Sequence, residues 1–219
     1  MNYQLAIFDL DGTLVNSLIM WDAYWSYLGE RYLGDKSFRP STADDKTIRT
    51  TTMKQAMTLI HENYGIAESP EALIEVANEY TINFYKTTVK CKDGMKEFLD
   101  HLKANGVKMC VASASSVEFI KTATESCGIA DYFDGIFSCA DIGKGKDKPD
   151  IYLKVLDHFG VKPEDACIFE DSLVAISTAK QVGTKTVAIY DKYNYGQAEM
   201  KAIADEYIAD GETVMRLVR

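Results

Sequence analysis

The chain has 219 residues, of which 47% are hydrophobic, and it carries a formal charge of −9 with an isoelectric point near 4.9. This length and composition suffice for one sizeable core with a smaller inserted domain. The acidic balance argues against a nucleic-acid partner, which would favour a basic surface. No apolar run is long enough to span a bilayer, and the N-terminus leads directly into a predicted strand, so we expect neither a membrane partner nor a cleaved leader.

The cysteines and histidines offer no sign of a disulfide frame or a zinc site. The cysteines are odd in number and lie mostly in apolar surroundings, at Cys91, Cys110, Cys127, Cys139 and Cys167. The three histidines show no metal-ligand spacing. We therefore expect reduced thiols and a cytoplasmic location.

The first strand is a short apolar run, Leu5 to Phe8, typical of a buried parallel strand. Two acids, Asp9 and Asp11, follow where the strand ends, which is the edge at which open α/β sheets bind ligands. Two acids so close together require a cation or a shared proton, and Mg²⁺ is the natural partner. A simple helix cap is the alternative, but Ser17 is the better cap candidate. A calcium loop is excluded because Met20 stands where the loop needs a glutamate.

Residues 16–89 show helical patterns without strand signals. Predicted helices run from Ser17 to about Tyr32, from Thr47 to Tyr64, and from Pro70 to about Thr88. Between the first two, the polar segment 35–42 predicts a loop. We therefore predict a helical insertion after the first strand, suited to act as a lid.

Strands and helices alternate from residue 90 onwards. Predicted strands cover 107–112, 133–139, 166–169, 186–189 and 207–208, and predicted helices cover 93–105, 115–127, 150–159, 172–181 and two short segments after 197. This alternation predicts an α/β fold with a doubly wound, mostly parallel, Rossmann-like sheet. We assign residues 1–15 and 90–219 to this core and residues 16–89 to the helical insertion.

Three further places put polar side chains after a strand, on the same edge as the two acids. Ser113 can serve an anionic oxygen or cap a helix. One lysine of Lys144, Lys146 and Lys148 can neutralise a phosphate or the acids, while the other two are expected to be solvated. Glu170-Asp171 places adjacent acids where something positive is needed. Their convergence predicts one active site.

With these motifs the chain resembles the haloacid dehalogenase superfamily, in its branch of helical-cap phosphatases and β-phosphoglucomutase-like enzymes. The resemblance covers essentially the whole chain, and its most diagnostic part is Asp9-Leu-Asp11-Gly-Thr13. It implies a Mg²⁺ cofactor and an aspartyl-phosphate formed on Asp9. It also implies that Asp11 serves as general acid and then general base, and contributes a backbone carbonyl to the metal.

The resemblance also assigns the remaining polar residues. The implied Mg²⁺ ligands are Asp9, Asp11, Glu170 and Asp171, with Glu170 in or just outside the first shell. Ser113 would hydrogen-bond the phosphoryl oxygens. Counted back from Pro149-Asp150, the family lysine falls on Lys146, and Lys148 stays as the alternative because Asp147 replaces the usual proline.

We predict a Mg²⁺-dependent phosphatase that hydrolyses a small phosphomonoester such as a sugar phosphate. Asp11 argues against the dehalogenase and phosphonate-cleaving branches of the superfamily. A β-phosphoglucomutase remains the alternative, although those enzymes typically carry a histidine near Met20. A non-catalytic phosphate-sensing module would be expected to have lost a catalytic group, and none is missing here.

The predicted partner is a small phosphorylated metabolite, and the chain is expected to be a monomer or a weak dimer. Arg49, in the inserted segment, is a candidate for contacting a second anionic or hydroxyl group of that metabolite. The aromatic residues of the first inserted helix are expected to pack against their neighbours and not against a ligand.

Overall fold

The computed structural model describes residues 3–48 and 51–218. Contacts divide the chain into an α/β unit, Met1–Ser17 with Val89–Arg219, and a helical unit, Leu18–Thr88. The first boundary falls after Ser17 and not after residue 15. The reason is that Asn16 N–H donates to the carbonyl of Lys90 (2.9 Å) and that the Ser17 hydroxyl bonds within the α/β unit.

The helical unit shows no strand within its described residues. Its helices are α1 (Met20–Leu28), which a π-helical segment (Gly29–Leu33) extends, α2 (Thr42–Ile48), α3 (Met53–Tyr64) and α4 (Pro70–Thr87). Tyr24 and Trp25 on α1 are buried against Met57 and other apolar side chains of the unit, as the aromatic spacing predicted. At the start of α4, the Ser69 hydroxyl accepts from the N–H of Ala72 (3.2 Å).

The single helix predicted from Thr47 to Tyr64 is wrong. The chain forms α2 and α3 instead, and α2 begins at the end of the predicted loop. Thr52 begins α3 with a capping box, in which its hydroxyl accepts from Gln55 N–H (3.3 Å) and the Gln55 side chain accepts from Thr52 N–H (3.1 Å). This signal is visible in the sequence, but apolar residues at helical spacing on both sides obscured it. Arg49 lies outside the described residues.

Within the described part of the α/β unit, six strands form one parallel sheet. They are β1 (Leu5–Phe8), β2 (Lys108–Ser113), β3 (Gly135–Ser138), β4 (Ala166–Glu170), β5 (Lys185–Ile189) and β6 (Glu206–Ile208). Their spatial order is β3-β2-β1-β4-β5-β6. The order reverses beside β1, and such a switch point is where doubly wound sheets bind ligands. The predicted fold class is confirmed.

Every strand and helix predicted in this unit is present, with ends shifted by a few residues. Its helices are α5 (Met95–Ala104), α6 (Val117–Ser126), the unpredicted one-turn α7 (Cys139–Ile142), α8 (Asp150–Phe159), α9 (Leu173–Val182) and α10 (Gln197–Ile203). The last short helix of the tail is a 3₁₀ turn, Val214–Leu217. In the described chain, no helix combines the length and apolarity that crossing a membrane requires.

An aromatic cluster supports the two central strand ends. Phe8, the last residue of β1, stacks on Phe169 of β4 with ring centroids 4.5 Å apart, and Phe98 from α5 meets both rings edge-on. Aromatic pairs of this kind add stabilisation beyond the area that they bury. Because Asp9 follows Phe8 and Glu170 follows Phe169, the cluster fixes the places from which these acids project.

The five cysteines are free thiols in the structure. Cys110, Cys139 and Cys167 are buried, and Cys91 and Cys127 are partly buried. The three buried thiols are part of the core of the α/β unit.

Loss of the α3 capping box is expected to weaken the helical unit. Thr52→Ala removes the hydroxyl that accepts from Gln55, so we expect the free energy of unfolding to fall by about 1 kcal/mol. Thr58→Ala is the matched control, because Thr58 lies inside α3, donates to the Lys54 carbonyl of the same helix (2.9 Å), and can be replaced by the better helix former. Denaturant unfolding followed by circular dichroism measures both, and equal losses would contradict the capping role.

Candidate active site

Three buried acids meet at the carboxyl edge of the sheet. Asp9 follows β1, while Glu170 and Asp171 stand at the end of the adjacent β4. All three are buried, and one carboxylate oxygen from each lies within 4.8 Å of the others. Carboxylates gathered this closely away from water are unfavourable unless a cation compensates them.

Lys146 supplies a positive charge to this acidic cluster. Its Nζ donates to Oδ1 of Asp9 and to Oε1 of Glu170, and only 10% of its side chain is exposed. The side chains of Lys144 and Lys148 are 54% and 62% exposed, and each pairs with a nearby aspartate. The structure therefore brings Lys146 to the acids and leaves Lys148, the alternative from the sequence, at the surface.

Both carboxylate oxygens of Glu170 are engaged. Oε1 accepts from Lys146, and Oε2 accepts from the backbone N–H groups of Asp171 (3.0 Å) and Ser172 (3.1 Å). The second oxygen thus satisfies N–H groups at the start of α9, where negative charge is favourable. Ser172 occupies the cap position of this helix without a side-chain hydrogen bond to it. Glu170 takes over that role.

Asp171 is oriented by two other side chains. Its Oδ1 accepts from the Thr13 hydroxyl (3.2 Å), and its Oδ2 accepts from the Asn194 amide (2.9 Å). Thr13 belongs to the opening motif, but Asn194 was not identified from the sequence. Its position in the sequence could have indicated it, because Asn194 lies in the segment after β5, on the same sheet edge as the acids.

Asp11 is held by two serine hydroxyls. Ser17 donates to Oδ1 (2.6 Å) and Ser115 donates to Oδ2 (2.7 Å). The predictions that Ser17 caps the first helix and that Ser115 opens a later one are therefore wrong. α1 has no side-chain cap, and α6 begins at Val117 with Ser116 as its cap. The physical reason is that a hydrogen bond from a hydroxyl to an ionised carboxylate is stronger than one between a hydroxyl and a neutral backbone group at a helix end.

Ser113 ends β2 on the same sheet edge and is buried. Its hydroxyl accepts from the N–H of Ser115 (3.1 Å), which stabilises the turn that carries the Ser115 side chain towards Asp11. Ser113 is therefore not the cap of α6. Ser113 lies at the end of the strand that pairs with β1, close in the sheet to Asp9. Its contact with a phosphate stays a prediction.

Burial and mutual repulsion alter the protonation of the cluster. Burial raises the pKa of Asp9 to about 7, although Lys146 opposes the shift. Burial, with the neighbouring Glu170 and Asp9, also raises the pKa of Asp171 well above its usual range. Burial alone would lower the pKa of Lys146, but the Asp9 and Glu170 carboxylates hold it above its ordinary value.

The donor set fits a hard divalent cation. Three acids share one lysine, so the cluster retains an excess of acidic groups, and all of the available ligand atoms are oxygens. Oxygen ligands of this kind suit Mg²⁺, which one or two carboxylates commonly hold together with a substrate phosphate. The residues present thus match the predicted cofactor.

Comparison with known proteins identifies the family. Residues 3–183 match the family model of haloacid dehalogenase-like hydrolases, and the chain belongs to this family. It is 24% identical over 201 residues to a phosphorylated carbohydrates phosphatase of Thermotoga maritima, covering 91% of each chain. It is 27% identical over 198 residues to phosphoglycolate phosphatase 1 of Pseudomonas aeruginosa, covering 89% of this chain and 72% of that one.

A solved structure shows the same fold. CbbY from Rhodobacter sphaeroides, in complex with phosphate, superposes with a TM-score of 0.78 at 22% identity and covers 94% of this chain and 93% of its own. The family and the enzyme class predicted from the sequence are confirmed: the chain is a hydrolase of this family, and the sequence relatives named above are phosphatases.

The charge balance of the cluster predicts unequal effects for two neighbouring lysines. Lys146→Met leaves buried acids without their cation, so we expect the free energy of unfolding in EDTA to fall by about 3–5 kcal/mol. Lys148→Met removes only an exposed pair and should cost less than about 1 kcal/mol. Chemical denaturation of both variants provides the comparison, and similar losses would show that Lys146 is not buried among the acids.

The raised pKa of Asp9 predicts a pH-dependent stability. Folding raises the pKa of Asp9 from its usual value of 3.8 to about 7, so the folded protein favours the protonated acid. The stability that Asp9 contributes is therefore present below about pH 4 and is lost as the pH rises through about 7. In EDTA at pH 8, Asp9→Asn should therefore raise the free energy of unfolding by about 1–4 kcal/mol, since one pKa unit corresponds to about 1.4 kcal/mol. Near pH 4 the two proteins should differ little. A gain of equal size at both pH values would contradict this explanation.

Proposed function

We propose that the protein is a Mg²⁺-dependent phosphatase that hydrolyses a small phosphomonoester, such as a sugar phosphate, through an aspartyl-phosphate on Asp9. The observation that carries this proposal is the placement of Asp9, buried at the switch point of the sheet between Lys146 and two further acids. The resemblance to a phosphorylated carbohydrates phosphatase supports the sugar-phosphate class.

The proposed metal ligands are the carboxylates of Asp9 and Asp171 and the backbone carbonyl of Asp11. When bound, Mg²⁺ would remove the repulsion between the nucleophilic carboxylate and the phosphate of the substrate. Glu170 was also a predicted ligand. One of its oxygens accepts from the cationic Lys146 and the other accepts from two backbone N–H groups, so we place Glu170 beside the ion, where it holds Lys146 and the start of α9.

Asp9 would act as the nucleophile. A carboxylate oxygen forms a bond to phosphorus while the bond from phosphorus to the leaving oxygen breaks, which divides the hydrolysis into two displacements. Lys146 orients this carboxylate and lies where it can meet the negative oxygens of the phosphoryl group. Ser113, at the end of the neighbouring strand, would donate to the same oxygens.

Asp11 would transfer protons in both displacements. It gives a proton to the leaving oxygen in the first and takes one from the attacking water in the second. The hydroxyls of Ser17 and Ser115 suit this exchange, because a hydroxyl can donate to an ionised carboxylate and accept from a protonated one. The carboxyl group therefore keeps its position in both protonation states.

Phosphate release tests the proposal. A panel of phosphomonoesters, including β-glucose 1-phosphate, is assayed with Mg²⁺ and with EDTA. We expect metal-dependent release that falls by at least about a thousandfold in Asp9→Asn, since loss of a nucleophile removes the covalent route. Lys148→Met is the matched control and should retain the wild-type rate, whereas Lys146→Met should not.

Two results of the same assay would contradict the proposal. Glucose 6-phosphate formed from β-glucose 1-phosphate without free phosphate would assign the mutase reaction instead. Release that survives both EDTA and Asp9→Asn would show that neither the metal nor the aspartyl-phosphate is involved.

A further inference from the structure

Asn194 makes two hydrogen bonds to the same acidic residue across the sheet edge. Its side-chain Nδ2 donates to the Oδ2 carboxylate oxygen of Asp171 (2.9 Å) and to the backbone carbonyl of Asp171 (3.0 Å). We infer that Asn194 is a positioning residue that sets the orientation of the Asp171 carboxylate for a divalent cation. This inference rests on the proposed function, in which Asp171 is a metal ligand.

The double contact restrains the side chain of Asp171 in a specific way. Because one amide group bonds to both the backbone and the carboxylate of Asp171, rotation about the bonds between them would break one of the two hydrogen bonds. The Thr13 hydroxyl donates to the other carboxylate oxygen (3.2 Å). Each oxygen of a carboxylate has two acceptor positions, so one donor on each still leaves acceptor capacity for a cation.

The amide of Asn194 is itself fixed in orientation. Its Oδ1 accepts from the N–H of Tyr195 (3.0 Å), so its Nδ2 is the end turned towards Asp171. The Asn194 backbone N–H donates to the carbonyl of Asp191 (3.1 Å). Gln197 donates to the carbonyls of both Asp191 (2.8 Å) and Asn194 (3.3 Å). The loop after β5 therefore presents a donor, and not an acceptor, to the acid.

A largely buried ion pair joins this loop to the segment that directly follows the opening motif. Asp191 is buried and accepts from Lys92 Nζ (2.9 Å) through one oxygen and from Tyr193 N–H (2.9 Å) through the other. Lys92 Nζ also donates to the carbonyl of Tyr190 (3.1 Å), and the Lys92 backbone N–H donates to the carbonyl of Leu14 (2.9 Å). The two segments that orient Asp171, one before and one after it in the chain, are thus joined to each other.

Magnesium affinity separates a positioning role from a merely structural one. The full chain is titrated with Mg²⁺ by calorimetry, as wild type, Asn194→Ala and Asn194→Leu, and the melting temperature of each is measured in EDTA. Leucine has the same number and branching of side-chain heavy atoms as asparagine, so it removes the donor without opening a cavity. Loss of groups that orient metal ligands typically weakens metal binding by about 10–100-fold. We expect the Kd for Mg²⁺ to rise by at least about tenfold in both variants. The rate of phosphate release at saturating Mg²⁺ should be largely retained.

Asn105→Ala is the matched control, because Asn105 donates to the carbonyl of His101 (2.8 Å) at the exposed end of α5 and should bind Mg²⁺ as the wild type does. A Kd within twofold of the wild type in both Asn194 variants would overturn the inference alone. Loss of the folded state in both variants would also overturn it, because Asn194 would then be structural. A wild-type protein that does not bind Mg²⁺ would overturn the proposed function as well.

Discussion

The α/β unit is organised around an electrostatic conflict at the centre of its sheet. Three acids are buried at the ends of two adjacent strands, and one lysine compensates them only in part. Burial alone would lead such acids to separate or to reach water. The paired ends of β1 and β4 nevertheless hold the acids side by side, and the stack of Phe8 on Phe169 supports these strand ends. A divalent cation bound among these acids, as proposed above, would offset the repulsion that Lys146 leaves uncompensated.

Much of the α/β unit could be predicted because its signals are local. Short apolar runs and the glycines after helices mark its strands and helix ends, and right-handed connections then order the sheet. The errors arose where one side chain had two possible partners. Ser17 and Ser115 have the residue type of a helix cap, but the tertiary fold offers them the Asp11 carboxylate instead. No local pattern reveals that choice.

The residues of the candidate site also divide into those that local sequence signals indicate and those that depend on the tertiary fold. Asp9, Glu170 and Asp171 come directly after predicted strands, so the rule about strand ends was enough to find them. Choosing between Lys146 and Lys148 required the path of the loop, because both have the same chemistry and lie two residues apart. Asn194 was missed because it is 23 residues from Asp171 in the chain, and its loop has no motif of its own. Hydrogen bonds between distant segments become visible only when the fold is known.

The helical unit is inserted between the two segments of the α/β unit, and this arrangement affects how the chain folds. Its central strand is made first, but Leu5 pairs with Lys108 and Ala166, which are synthesised only after the whole helical unit. An apolar strand without partners is prone to pair with other chains until then. The entropy cost of closing a loop grows slowly with its length, whereas contacts between distant residues slow folding strongly. The insertion therefore affects the time that the chain spends vulnerable to aggregation more than the stability that it finally reaches.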